Sequence, residues 1–268
     1  MTRSWVFVRI LAGDGKNADH DPGDTAPALL RETVGELRQA DPAGRWHFER
    51  LADGAARHLG VWLHGDENLL TELTLRLRRT AAEHGWRVRP ETFAPPVAKY
   101  QSRRTLDAAA ELARGSSEFA LELLRDGRLD EPAAAEFALV QLTELVRLVP
   151  APERGAFLFQ CREYWRDGLP TGGPTGTGEV TPEDLRAAVD RWYARPGFAD
   201  WTRAVADLTA AERTGGATPV NFLLLDHADL THRRLGIAPG ISAASADALR
   251  TLLHRDPSAL ESGALQTV

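Results

Sequence analysis

The chain has 268 residues, 43% hydrophobic and 26% charged, with a net charge of −6 and one cysteine. That length is enough for a sizeable core, and the acidic balance does not suit a protein that grips phosphate backbones. A lone cysteine, Cys161, rules out a disulfide framework and a cysteine zinc knuckle, and no apolar run of roughly 18 residues is present to span a membrane.

Residues 3–11 are β-prone, with Trp5, Phe7 and then Ile10 marking a strand. This start has too short an apolar part for a secretion signal, so the chain is read as cytoplasmic. A polar loop (13–24) precedes a helical repeat over 25–41 through Leu29, Leu30, Val34 and Leu37. Two β-prone runs, 46–51 and 57–63, flank Asp53-Gly54 and read as a hairpin. A helix follows over 66–84, then a strand over 86–93 stopped by Pro95-Pro96. Arg76, Arg78 and Arg79 read as a solvated helix face.

From residue 103 the spacing predicts helices over 103–114, 116–126, 131–149, 152–167, 181–194, 198–213, 219–234 and 242–255. The stretch 169–179 reads as a flexible loop and 235–241 as a turn. Cys161 and Tyr164, in the run with Trp165, are expected to pack in the core. The fold class is α+β. It has a small, largely antiparallel sheet in the N-terminal part (1–100) and a mainly helical part (101–268), read as a single domain over 1–268.

Several chemistries lack their motif. GDGKN (13–17) has neither the spacing nor the Ser/Thr of a phosphate loop, and GGPTGTG (172–178) is not set between a strand and a helix. Neither HExxH nor GxSxG occurs, and the histidines show no metal-ligand spacing.

The hairpin carries a resemblance. WHFERLADGAARHLGVWL (46–63) resembles the W-F-x-R-Y-x-D-G-G-x-H-L-R-x-R-L pattern of the elimination domain of class I lanthipeptide dehydratases, through Trp46, Phe48, Arg50, Asp53, Gly54, His58, Leu59 and Leu63. FAPPVAKYQS (93–102) resembles Y-x-P-E-x-x-R-Y-G-G, with Phe93, Pro95 and Tyr100 matching. Ser117 stands at the serine of the family's next helix, and Arg234, Leu235 and Gly236 match its C-terminal H-M-x-x-N-R-L-G. The blocks occur in family order over almost the whole chain.

The departures change the reaction that the resemblance implies. Eliminating members place two arginines of H-L-R-x-R, an arginine before Tyr-Gly and a C-terminal histidine at the site that expels glutamate. Here those positions hold Gly60, Trp62, Lys99 and, on or near the last, Asp229. Glycine and tryptophan cannot supply a guanidinium's fork of donors. Elimination is therefore disfavoured unless Arg57 or Lys99 substitutes. The chain is more similar to the thiopeptide pyridine synthases, which join two dehydroalanines in a formal [4+2] step, then release water and the leader peptide.

That resemblance implies a leader-bearing, dehydrated, azole-containing precursor peptide as partner, no cofactor or metal, no nucleic acid and no membrane. Contact with other biosynthetic enzymes would be transient. Candidate catalytic residues are Tyr100, His58, His227 and Asp226. Candidate substrate-binding residues are Trp62, Gln101, Ser102, Lys99 and Arg50. Tyr100 would protonate a departing hydroxyl or else simply pack; His58 would shuttle a proton or else line the hairpin. Trp62 would stack on thiazoles or fill the core. Gln101 and Ser102 would hold the azadiene amide. Asp226 and His227 are neighbours on a helix, about 100° apart, so at most one faces a common pocket.

Overall fold

A computed structural model of the chain describes residues 2–12, 22–24, 26–53, 56–91, 93, 97–100, 103–167, 180–214 and 218–260. Gln101, Ser102, Gly54, Pro95-Pro96, residues 13–21 of the loop expected at 13–24 and the loop expected at 169–179 lie outside the described residues. The chain divides into two compact units, Met1–Arg128 and Leu129–Val268.

In the first unit the elements are β1 (Arg3–Ala12), α1 (Ala26–Ala40), β2 (Arg45–Asp53), β3 (Ala56–Asp66), α2 (Glu67–Glu83), β4 (Trp86–Glu91), α3 (Val97–Tyr100) and α4 (Arg103–Leu123). The strands form one antiparallel sheet in the order β2-β3-β1-β4. Successive side chains alternate between the two faces. Val8, Ile10, Trp46, Phe48, Leu59, Val61 and Leu63 share the first face and are buried with Leu30, Leu37, Leu70 and Leu77 of α1 and α2. Each such side chain taken from water contributes about 1.5–3 kcal/mol. α2 starts where Asp66 accepts from the backbone N–H of Asn68 and Leu69.

β2 is an edge strand, and α4 lies along it. The Phe48 N–H donates to Ser117 Oγ at 3.2 Å, and the Ser117 hydroxyl donates to Ala113 O at 2.8 Å. Arg45 pairs with Glu111 at 2.8 Å. The helix after residue 103 thus belongs to the unit that contains the sheet.

α4 is continuous where the sequence pattern broke at Gly115 into 103–114 and 116–126. Leu112, Ser116, Phe119 and Ala120 keep the buried stripe in phase across the glycine. Interior glycine costs only about 1 kcal/mol relative to alanine, less than packing returns. No atom lies within 4 Å of a Cβ added at Gly115. Gly115→Ala should therefore raise the unfolding free energy by about 1 kcal/mol in urea titration, and an unchanged midpoint would contradict this.

The second unit is helical: α5 (Glu131–Arg147), α6 (Arg154–Arg166), α7 (Pro182–Tyr193), α8 (Phe198–Arg213), α9 (Val220–Leu235) and α10 (Pro239–Arg255). α5 is buried all round from Phe137 to Val146 and serves as the hub for α7, α9 and α10. α9 ends in a Schellman motif: Gly236 takes φ 73°, and the Ile237 N–H reaches His232 O at 2.9 Å. α10 begins at Pro239, three residues before the expected 242, because proline's fixed φ suits the first helical position as well as a turn. Cys161 is fully buried as expected, and burial pushes its thiol well up.

Tyr164 is not a core residue. The α6 stripe of Phe157, Leu158, Cys161 and Trp165 faces inward, one residue round from Tyr164, which is 51% exposed.

Candidate functional site

The second face of the sheet collects the hairpin residues. Strand register sets four rows across it. His58 stands between Leu51 and Leu11; Gly60 between Glu49 and Arg9; Trp62 between His47 and Phe7; His64 between Arg45 and Trp5. Beyond β1, Arg87, Arg89 and Glu91 of β4 continue the first three rows.

The third row is a stack of rings. Trp62 lies 4.5 Å from Phe7 at 20° and 4.7 Å from His47 at 9°, centroid to centroid. Trp5 and Phe93 close the cluster, with Phe93 6.1 Å from Trp62 and 5.9 Å from Trp5. Pairs of this kind add about 0.5–1.5 kcal/mol each beyond burial. Trp62 is buried, and its Nε1–H has no hydrogen-bond partner among the described residues. An unpaired buried donor is costly.

Trp62 also explains Gly60. A Cβ built on Gly60 would lie 2.9 Å from Trp62 Cη2, 3.0 Å from Cζ3 and 2.8 Å from Leu51 Cδ1. The indole is folded over the glycine, so the two departures from H-L-R-x-R form one packing unit. A longer side chain at 60 needs the ring to move.

His58 is buried, and its Nε2 sits 3.1 Å from Arg9 Nη1. Arginine only donates, so Nε2 accepts and the ring proton is on Nδ1. Arg9 is held in turn by Glu91, Nε to Oε2 at 3.0 Å, and Arg89 binds the same carboxylate at 2.7 Å. His64 is pushed below its ordinary value by burial first, then by the charges of Arg3 and Arg45.

Arg50 is not brought to this face. It pairs with Leu59 in the ladder, so it shares the first face, where it binds Asp24 at 2.7 Å. Arg57 is likewise offset by one residue from His58 and is exposed. Tyr100 is buried in α3, with the exposed Lys99 ammonium 5.3 Å over its ring. The sequence pattern marks Trp5 and Phe7 only as strand residues, and it does not point to Arg9, Glu91 or His47 as members of the site. The alternation of Trp5, Phe7 and Arg9 was visible, but only the β1–β3 register sets them beside His58, Gly60 and Trp62.

In the second unit His227 is buried and Asp226 half-buried on α9. The more organised group there is Asp229, which accepts from Trp165 Nε1 at 3.1 Å and Tyr164 OH at 3.2 Å and pairs with Arg233 at 2.8 Å. Partial burial and then the Asp229 charge push the Tyr164 phenol up. His232 is enclosed, with Nδ1 2.8 Å from Ser242 Oγ, and burial pushes it down to about 3.

Among the described residues no three His, Cys, Asp or Glu side chains group as metal ligands, and no helix is long and apolar enough to cross a membrane.

Comparison with known proteins gives a consistent result. The family model described as lantibiotic biosynthesis dehydratase C-term matches residues 5–254. No curated protein sequence matches. The crystal structure of the tRNA-dependent lantibiotic dehydratase MibB from Microbispora sp. 107891 is similar, with a TM-score of 0.58 and 18% identity over 94% of this chain. The chain spans only 28% of that protein's length. The crystal structure of TsrL is similar over 97% of this chain and 98% of its own, with a TM-score of 0.64 and 14% identity. At such identities these structures bear on the fold.

Proposed function

Because the chain belongs to the lantibiotic biosynthesis dehydratase C-term family, we propose that it acts on a ribosomally made precursor peptide and builds a pyridine from two dehydroalanines. The observation that carries this reading is the Trp62–Gly60 unit. Where eliminating relatives would need two guanidinium groups, this sheet face has an indole packed over a glycine and flanked by Phe7 and His47. Such a surface positions planar alkenes and azoles, not a glutamate leaving group.

The proposed reaction balances without an oxidant. A backbone amide proton moves from nitrogen to oxygen, giving an iminol and so a 2-azadiene with the first dehydroalanine. Two carbon–carbon bonds then form to the second dehydroalanine and close a six-membered ring. Water leaves from the former iminol carbon and the leader leaves as its amide, making the ring aromatic. His58, with Nε2 taken by Arg9, donates from Nδ1 toward the iminol oxygen. Tyr100 protonates the departing hydroxyl, and the Trp62 N–H takes a peptide carbonyl. Gln101 and Ser102 hold the azadiene amide, and Lys99 the flanking peptide. His227 and Asp226 belong to the other unit, and no step is assigned to them.

The test is mass spectrometry of the purified chain with a leader-bearing peptide containing two dehydroalanines. The expected products are a pyridine macrocycle and a leader amide. His58→Ala and Tyr100→Phe should keep peptide binding and lose turnover by about a hundredfold. If both react at the wild-type rate, these site assignments fail. An unchanged peptide that still binds would favour a non-catalytic presenting subunit.

One observation favours a second reading. Arg9, opposite Gly60 on the neighbouring strand, returns a guanidinium to the face beside His58. Glutamate elimination would then run through Arg9, and a glutamylated serine peptide would lose glutamate in the same assay.

A further inference from the structure

In the second unit a groove of about 750 Å³ runs between the start of α6 and the end of α10. Its lining includes Arg154, Gly155, Phe159, Arg250 and His254, and no carboxylate among the described residues. Phe159 is 44% exposed, with the Arg162 guanidinium 5.1 Å and the Arg250 guanidinium 5.6 Å from its ring centroid. Arg154 reaches Val149 O at 3.1 Å through Nε, and no carboxylate pairs with it among the described residues. Arg250 has Asp247 at 4.0 Å, and Asp247 is engaged more closely by Arg162 at 3.1 Å. All this sits on a chain of net charge −6.

We propose that this groove docks an acidic peptide segment, with carboxylates on Arg154 and Arg250 and an apolar side chain against Phe159. An exposed ring braced by two arginines offers an apolar anchor point, while the surrounding cations set the sign of the partner. The segment extends the peptide-modifying reading to a stretch of substrate outside the reacting residues, but the docking is tested without turnover.

The probe is a fluorescein-labelled peptide of about 15 residues, with leucine or phenylalanine at every third or fourth position and glutamate between. Fluorescence anisotropy with the full chain should show saturable binding that weakens as sodium chloride rises. Arg250→Glu should weaken it by about tenfold or more. Gly155→Trp should do the same by filling the groove, since nothing lies within 4 Å of its added Cβ. Both positions are exposed, and unchanged thermal midpoints would show that the variants fold. The proposal is overturned if the probe does not bind or if its lysine counterpart binds equally. It is also overturned if both variants bind like wild type. Binding of anionic phosphatidylglycerol vesicles in place of the peptide would overturn it, as would a dimer in sedimentation that Arg250→Glu dissolves. Failure of pyridine formation would appear in the mass spectrum and leave this binding curve unchanged.

Discussion

Acidification from about pH 7 to about pH 4 should remove about 3 kcal/mol of unfolding free energy through His232 alone. Its imidazole is 1% exposed and held at about 3 against an ordinary 6.5, with burial as the cause. The sign follows from proton counting. Below 6.5 the unfolded chain takes up a proton that the native chain refuses, so stability is full above that value. It falls by about 1.4 kcal/mol per pH unit until the native ring titrates. The groups packed on the ring offer no compensating charge: Ser242 Oγ on Nδ1, Trp165 at 5.2 Å and Phe137 at 6.2 Å. Glu144 works the other way. Burial raises its carboxyl, so acidification through that range relieves a cost. The measurement is urea unfolding over a pH series, with the His232 ring followed by NMR. A ring that titrates near 6.5 in the native protein would overturn the prediction.

The second large effect concerns the sheet face. Trp62→Ala should cost about 3–5 kcal/mol, because a buried ring is lost together with its two stacked partners. Gly60→Ala should cost about 1–3 kcal/mol, since its Cβ would strike the Trp62 ring at 2.9 Å. The two losses should not add. With the ring gone, the nearest atom is the end of the Leu51 side chain, which can rotate. Chemical denaturation of the single and double variants should give a coupling of about 1 kcal/mol or more. Strict additivity would mean that Trp62 does not impose the glycine.

Much of this was legible in the sequence because local patterns and packing agree. The Asp53-Gly54 turn signal and the flanking alternation predict a hairpin, and β2 and β3 extend it by only a few residues at either end. The helix over 198–213 is reproduced at both ends, since its apolar spacing has no breaker within it. Gly115 and Pro239 misled for one reason: both are punctuation by local preference, and tertiary packing or first-turn geometry overrode it. Tyr164 misled because a residue beside a core tryptophan on a helix points elsewhere. Arg50 could have been assigned by alternation, as it sits two residues from the inward Phe48. The Arg9–His58 contact joins residues 49 apart in the chain, and no local pattern encodes it.

The bond from Phe48 to Ser117 has a consequence for how the chain is made. All four strands have left the ribosome once residue 91 is out, but the helix that carries Ser117 follows only over Arg103–Leu123. At cellular translation speeds that gap lasts on the order of seconds. Throughout it β2 presents an unfilled backbone edge beside Trp46 and Phe48, open to strands from neighbouring nascent chains. The late helix therefore closes a window of vulnerability during synthesis, and slow codons between β4 and α4 would widen it.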